Sequence, residues 1–308
     1  RLTRFGIILR KTSDNTNRLH EIFIFNQAKM KTTTSQHILL CLLFLLSLKP
    51  AFSQYYVSGQ EPFGIRWKQI NTEHFRIVFP SGHEQQAQET ANILETTYKP
   101  VYLPLQSPPR KTSLLLHDYS ATSNAFAGLA PFRMEFYNVP PQDSYAQPWN
   151  KQLALHEFRH IVQFRALDKG FTRGISWFFG QQGIAAVLGL YIPFWFLEGD
   201  AISSETALSS SGRGREPGFE MILRAQILEK GRYSYDKAVF RSYRDMVPNQ
   251  YELGYFLVAQ ARKEYGPEIW RSALNTVARK PFMITPFSRG IRKVSGLKKI
   301  PFYKQILD

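Results

Sequence analysis

The sequence predicts an α+β fold, in which a small mixed sheet and the helix after Pro148 are followed by a C-terminal helical subdomain. Three observations carry this. Period-two alternation of apolar residues occurs only in the front half, and helical periodicity takes over after Pro148. The chain of 308 residues is 44% hydrophobic and 20% charged, enough apolar material for a core, which excludes both wholesale disorder and a coiled coil.

In chain order, Trp67 to Phe79 reads as a strand because Phe75, Ile77 and Phe79 alternate with polar neighbours. Ala87, Ala91, Leu94 and Tyr98 then recur at helical spacing up to Pro100. Leu114 to Leu116 is a short buried strand, and Phe132, Met134 and Phe136 alternate with Arg133, Glu135 and Tyr137 in another, closed by Pro140 and Pro141. After Pro148, a favoured first-turn residue, a helix is expected over 151–166. Further helices are expected at about 198–208, 219–230, 249–265 and 267–279, with 209–218, rich in Ser, Gly and Arg, as a mobile loop. Residues 175–197 are nearly free of charge and about as long as a membrane span. Gln181, Gln182, Gly183 and Pro193 interrupt them, so the expected form is a buried helical hairpin in a soluble protein, ahead of a membrane-associated scaffold.

The first 53 residues read as something other than fold. Met30-Lys31, the apolar run Ile38 to Leu48 and Ala51-Phe52-Ser53 have the order of a secretory signal peptide. The expected segments are 1–29, upstream and non-structural, 30–53, the leader, 54–166, an α+β part, and 167–308, a helical part. An exported, periplasmic or extracellular location follows from that reading. The lone cysteine, Cys41, falls in the leader, so no disulfide is expected in residues 54–308. The formal charge of +15 becomes +9 over residues 54–308, where 31 basic and 22 acidic residues remain. Such a surplus suits acidic partners or an anionic membrane surface, or simply keeps the protein soluble. No basic run with interleaved aromatics marks a nucleic-acid groove.

The chemistry is concentrated in His156-Glu157-Phe158-Arg159-His160. Residues four apart share a helix face, so both imidazoles can grip one ion, and zinc accepts such nitrogens at about 2.0–2.1 Å. Glu157 can reach the metal-bound water instead of the metal, the position of a general base. Chance supplies about 0.008 such strings in a sequence of this composition. A catalytic zinc site takes a third protein ligand, and Glu198 in Trp195-Phe196-Leu197-Glu198-Gly199-Asp200-Ala201, at the start of an expected helix, stands out. Glu205, two turns further along the same face, can hold a ligand histidine by its other ring nitrogen.

These residues, His156-Glu157-x-x-His160, then Trp195-x-x-Glu198-Gly199-x-Ala201 and Glu205, resemble the metal site of the gluzincin zinc peptidases. From Trp67 through Tyr251-Glu252-Leu253-Gly254-Tyr255 to Tyr265-Gly266, the chain resembles the peptidase MA-like domains of secreted bacterial proteins, often followed by a TolB-type propeller. The resemblance implies a zincin-like fold, a bound zinc ion, a peptide or protein substrate and a propeller module beyond residue 308. The aminopeptidase segment that binds a substrate amine has no counterpart in Ala127 to Glu135, so aminopeptidase activity is not implied. The strand Phe132 to Asn138 is expected at a sheet edge, where an extended peptide can pair with it. An oxyanion donor is expected from a tyrosine: Tyr251 and Tyr255, four apart on one helix, rank level, with Tyr243 a further candidate. Arg159 is expected to make a salt bridge, to reach solvent or to meet a substrate carboxylate. His117 is expected to be an ordinary capped or solvated imidazole.

Overall fold

The structure, a computed structural model, describes Ile38 and residues 61–121, 123–141 and 147–308. The upstream segment 1–29 and the leader expected at 30–53, with Cys41, lie outside the described residues, Ile38 apart. Gly59–Asp308 form one compact unit, and its fold is α+β.

Five strands make one mixed sheet among the described residues: β1 (Trp67–Asn71), β2 (Phe75–Pro80), β3 (Thr112–His117), β4 (Ala125–Gly128) and β5 (Arg133–Tyr137), in the order β1-β2-β3-β5-β4. The single strand expected over 67–79 is a hairpin, because the polar stretch after Asn71 turns the chain. Thr72 locks the turn: its N–H donates to the Phe75 carbonyl at 3.0 Å, and its hydroxyl accepts the Phe75 N–H at 3.1 Å. β2 and β3 are parallel, as are β3 and β5. Phe75, Ile77, Leu114 and Met134 are fully buried, the inward half of the period-two pattern. The expected edge strand, β5, lies instead between β3 and β4, paired antiparallel with β4. β4 is the outer strand and went unread because Ala125-Phe126-Ala127-Gly128 is too short to show alternation.

Helix α1 (Glu84–Tyr102) lays Ala87, Ala91, Leu94 and Tyr98 against the core. It runs two residues past Pro100, which sits in its last turn. The helical half comprises α2 (Trp149–Leu167), α3 (Gly170–Phe179), α4 (Gln181–Tyr191), α5 (Phe194–Ala207), α6 (Pro217–Lys230), α7 (Tyr235–Phe240), α8 (Gln250–Tyr265), α9 (Glu268–Arg279), α10 (Pro286–Ser295) and α11 (Lys299–Leu307). α2 joins the halves, packing on α1, on β4 and β5, and on α5. α5 and α8 cross in near backbone contact at two glycines: a Cβ on Gly254 would stand 2.0 Å from the Trp195 carbonyl oxygen, and one on Gly199 2.1 Å from the Gly254 carbonyl carbon.

The apolar stretch 175–197 forms a helical hairpin, α3–α4, and the start of α5; Ile192 and Trp195 to Leu197 are buried, but the hairpin is buried on one side only. Gly183, Ile184 and Val187 face inward, while Trp177 is 81% exposed, Phe178 85% and Leu190 74%. A stretch apolar on all sides has no periodicity to tell the inner face from the outer one. Gln181, one of its polar interruptions, accepts the Phe132 N–H at 2.7 Å and ties the hairpin to the sheet.

His117 also departs from expectation. At the end of β3 its buried ring stands between two carboxylates, Nδ1 3.0 Å from Glu61 and Nε2 3.0 Å from Glu135, with Tyr137 stacked on it. Acceptors on both nitrogens favour the imidazolium. Burial opposes the charge, but the bonds to Glu135 and Glu61 outweigh it and hold His117 above its ordinary value, while the same bond and Arg133 hold Glu135 below its own despite burial. The His117 contribution is therefore complete below about 6.5 and is lost as pH rises through the raised value; that of Glu135 is present above about 4.5 and is lost as pH falls through the lowered value. His117→Gln should cost about 2 kcal/mol near pH 5.5, and less as the solution becomes alkaline. Urea melts across a pH series measure this, and a difference independent of pH would contradict it.

Candidate active site

The site is built on two helices. α2 carries His156 and His160 on one face with Glu157 beside them, and α5 presents Glu198 opposite. Glu198 stands in the second turn of α5, one turn further in than the sequence places it. His156 Nε2 lies 3.2 Å from Glu198 Oε2, and His160 Nε2 lies 3.7 Å from the same oxygen. One donor atom from each of the three residues lies within 4.8 Å of the others. Tetrahedral zinc with bonds of about 2.0–2.1 Å holds its ligand atoms about 3.3 Å apart. The donor set therefore fits zinc in type, number and spacing.

The outer nitrogens meet partners on both helices. His156 Nδ1 faces Glu205 Oε2 at 3.0 Å, and His160 Nδ1 faces Gln163 Oε1 at 2.8 Å. With the Nδ1 proton of His160 donated to Gln163, its Nε2 lone pair points into the space between the helices, whereas His156 Nδ1 stands between the Glu205 carboxylate and the Arg213 guanidinium, 2.9 Å away. Gln163 cannot flip, because its amide group donates to the Leu197 carbonyl at 3.0 Å and to Asp200 at 2.8 Å. Asp200, fully buried, also takes two bonds from Arg159 at 2.7 and 3.0 Å and another from Arg262. Arg159 is thus neither at the surface nor free for a substrate carboxylate: it holds α2 to α5 and donates to the Val101 carbonyl.

The electrostatics favour a cation. Burial works against charge on His156, yet the bonds to Glu198 and Glu205 push it up to about 9. His160 is raised by Glu198 despite burial, and Glu198 is held far below the ordinary carboxylate range by the two imidazoles, again against burial. Buried carboxylates draw positive charge to the three donors, and a metal ion supplies it in their stead.

No family model matches this chain, and no curated protein matches it. Among solved structures it resembles an M1 zinc metallopeptidase. That structure is a variant from Deinococcus radiodurans bound to a Tyr-Ser-Ala substrate; identity is 14%, and the alignment covers 79% of this chain and 52% of that one at a TM-score of 0.37. This chain thus spans about half the length of the peptidase it matches.

Four residues the sequence reading passed over belong to the site: Arg213, Asp200, Gln163 and Arg262. Arg213 is the most consequential. Its guanidinium donates to Glu205 at 2.6 and 2.9 Å and lies 2.9 Å from His156 Nδ1. The expected mobile loop 209–218 accordingly contains a 3-10 turn, Arg213–Arg215, held against α5. Glycine makes the approach possible, since a Cβ on Gly214 would stand 2.2 Å from the Tyr255 ring. The alternation Gly212-Arg213-Gly214 is the signal the sequence offered, an arginine between residues that let the backbone come close.

The two tyrosines, level by sequence, part in the structure. Tyr251 lies under Arg213, 5.8 Å from guanidinium carbon to ring centre, and burial with the fields of Glu198 and Glu157 pushes its hydroxyl up to about 12, so it remains an O–H donor at neutral pH. Tyr255 packs against Gly214 and Phe219, and the charges acting on it are Glu220 and Arg215. Tyr243 is fully exposed. Glu157 is buried beside the cluster, and its charge acts on both His160 and Tyr251.

Proposed function

We propose that this chain is an exported zinc-dependent peptidase of the gluzincin type, with a zincin-like domain. The observation that carries the reading is the convergence of His156 Nε2, His160 Nε2 and a Glu198 oxygen, with both outer ring nitrogens held by partners and Glu157 on the same helix. Zinc bound there supplies Lewis acidity toward a carbonyl and toward water. Glu157 takes the proton of the attacking water on its carboxylate and delivers it to the leaving amine. Tyr251 donates its hydroxyl proton in a hydrogen bond to the developing oxyanion, aided by the nearby charge of Arg213. Glu205 and Gln163 orient the imidazoles and do not meet the substrate.

A peptide substrate is supported by β4. Among the described residues no strand pairs with its outer edge, and β4 packs on α2, so an extended peptide adding to the sheet there runs along the metal helix. The export assignment rests on the leader sequence 30–53, and a TolB-type propeller after residue 308 is the partner module that the resemblance implies.

Zinc content and hydrolysis of a denatured protein substrate, each measured before and after chelation, test the reading. About one zinc per chain is expected, with hydrolysis lost on chelation and restored by zinc. Zinc without turnover would make the chain a zincin-like binding module, and absence of both would remove the reading altogether.

A further inference from the structure

The α3–α4 hairpin presents an apolar surface that the rest of the described chain does not cover. Trp177, Phe178 and Phe179, at its tip, are 81%, 85% and 69% exposed. Leu190 and Phe194, at the far end of α4 and the start of α5, are exposed as well, and at the base Phe171 lies against the exposed Phe282, with ring centres 5.6 Å apart. Covering one such side chain is worth about 1.5–3 kcal/mol, so several of them left in water are a large standing cost for a monomer. Leu190 and Phe194 also line a groove of about 640 Å³ with Phe240, Phe287 and Lys299, which continues the apolar surface.

Charge says what covers it. From Lys169 to Leu197 there is no acidic residue. At the base of the hairpin stand the exposed Arg173, Arg279 and Lys280, and Gly170 lies against Arg279. Asp168 is shared by Arg165 and Arg173, which leaves the surplus positive. Lys169 is held below its ordinary value by burial and by the repulsion of Arg165, Arg279 and Arg271, a measure of the positive field there. A second copy docked on this face would bring two such cationic bases together without acidic partners in the hairpin.

Aromatic side chains beside basic ones, with no acids, are the pattern of elements that lie in a membrane interface. Spanning does not fit the geometry: no single helix among the described residues is long and apolar enough to cross, and α4 with α5, which together pass on length and composition, bend by 101°. α5 is moreover buried from Trp195 through Thr206. We propose that this face docks on an anionic lipid bilayer, with Trp177, Phe178 and Phe179 at the acyl boundary and Arg173, Arg279 and Lys280 against the headgroup phosphates. The inference stands apart from the peptidase reading and needs no metal.

The test is co-sedimentation of the full chain with vesicles of equimolar phosphatidylcholine and phosphatidylglycerol and with vesicles of phosphatidylcholine alone. The apolar run Ile38 to Leu48 can partition into lipid by itself, so the comparison is with W177S/F178S/F179S in the same chain. The triple variant should partition at least about tenfold more weakly into mixed vesicles, and R173E/K280E should lose the preference for phosphatidylglycerol. Should the triple variant fail to fold, tryptophan fluorescence decides: the parent should shift to the blue on mixed vesicles and be quenched by brominated acyl chains, and W177F should lose that response. Equal partitioning of parent and triple variant, or a parent fluorescence that ignores the vesicles, would overturn the proposal. So would a dimer of the parent that the triple variant abolishes in the absence of lipid.

Discussion

Glu157→Gln should leave the zinc site filled and cut hydrolysis by about a thousandfold. The substitution preserves shape and removes only the ability to accept a proton. Glu157 is not among the three residues whose donor atoms converge, so its loss takes no ligand from the ion. It is buried one position from His156, on the helix that carries both histidines, which is where a base acting on the attacking water must stand. The effect should fall on kcat, because the proton moves in the transition state and not in binding. Tyr251→Phe should show the same signature at about a hundredfold, as for loss of one oxyanion donor, and Tyr255→Phe should show none. Undiminished turnover in Glu157→Gln would put the base elsewhere, and loss of zinc would make Glu157 a structural residue.

What the sequence disclosed and what it hid follow from how far each signal reaches along the chain. The two histidines announce themselves because helical geometry turns a spacing of four into a shared face, and Glu198 and Glu205 because a spacing of seven does the same on α5. The partners that make the imidazoles competent are scattered: Gln163 is three residues from His160, Asp200 meets Arg159 across 41 residues, and Arg213 meets His156 across 57. The Gln163 contact is a helical i,i+3 pair, but no local periodicity encodes those of Asp200 and Arg213, and Arg213 was further disguised by a Ser- and Gly-rich segment that reads as loop. The ranking of Tyr251 and Tyr255 was likewise undecidable, since both share one face of α8 and only the close crossing at Gly199 and Gly254, with the turn at Gly214, separates their surroundings. In the sheet, Phe75 to Phe79 was legible because inward and outward residues differ in polarity. β4 was too short for that contrast, and in α4, Gln181–Tyr191, no charged residue marks the outer face.

Glu198→Ala should empty the metal site, and the comparison that gives this meaning is Glu205→Gln. Both carboxylates face His156, Glu198 at Nε2 from 3.2 Å and Glu205 at Nδ1 from 3.0 Å, so hydrogen bonding alone does not say which one holds the ion. Their remaining partners do. The same Glu198 oxygen lies 3.7 Å from His160 Nε2, in the space between the imidazoles, whereas Glu205 is turned outward and its charge is matched by two bonds from Arg213. Removing Glu198 takes away one of three donors and the only carboxylate among the converging atoms, and zinc affinity should fall by well over about a hundredfold. Glu205→Gln keeps all three donors and still offers an oxygen to His156 Nδ1, but leaves Arg213 with its charge unmatched beside the ion, so a loss of about 10- to 100-fold is expected. Competition with a chromophoric chelator measures both. If Glu198→Ala held zinc as tightly as the parent, or if the order of the two variants were reversed, the third ligand would have to be sought elsewhere, and the geometry of α5 would have to be explained by its ion pairs alone.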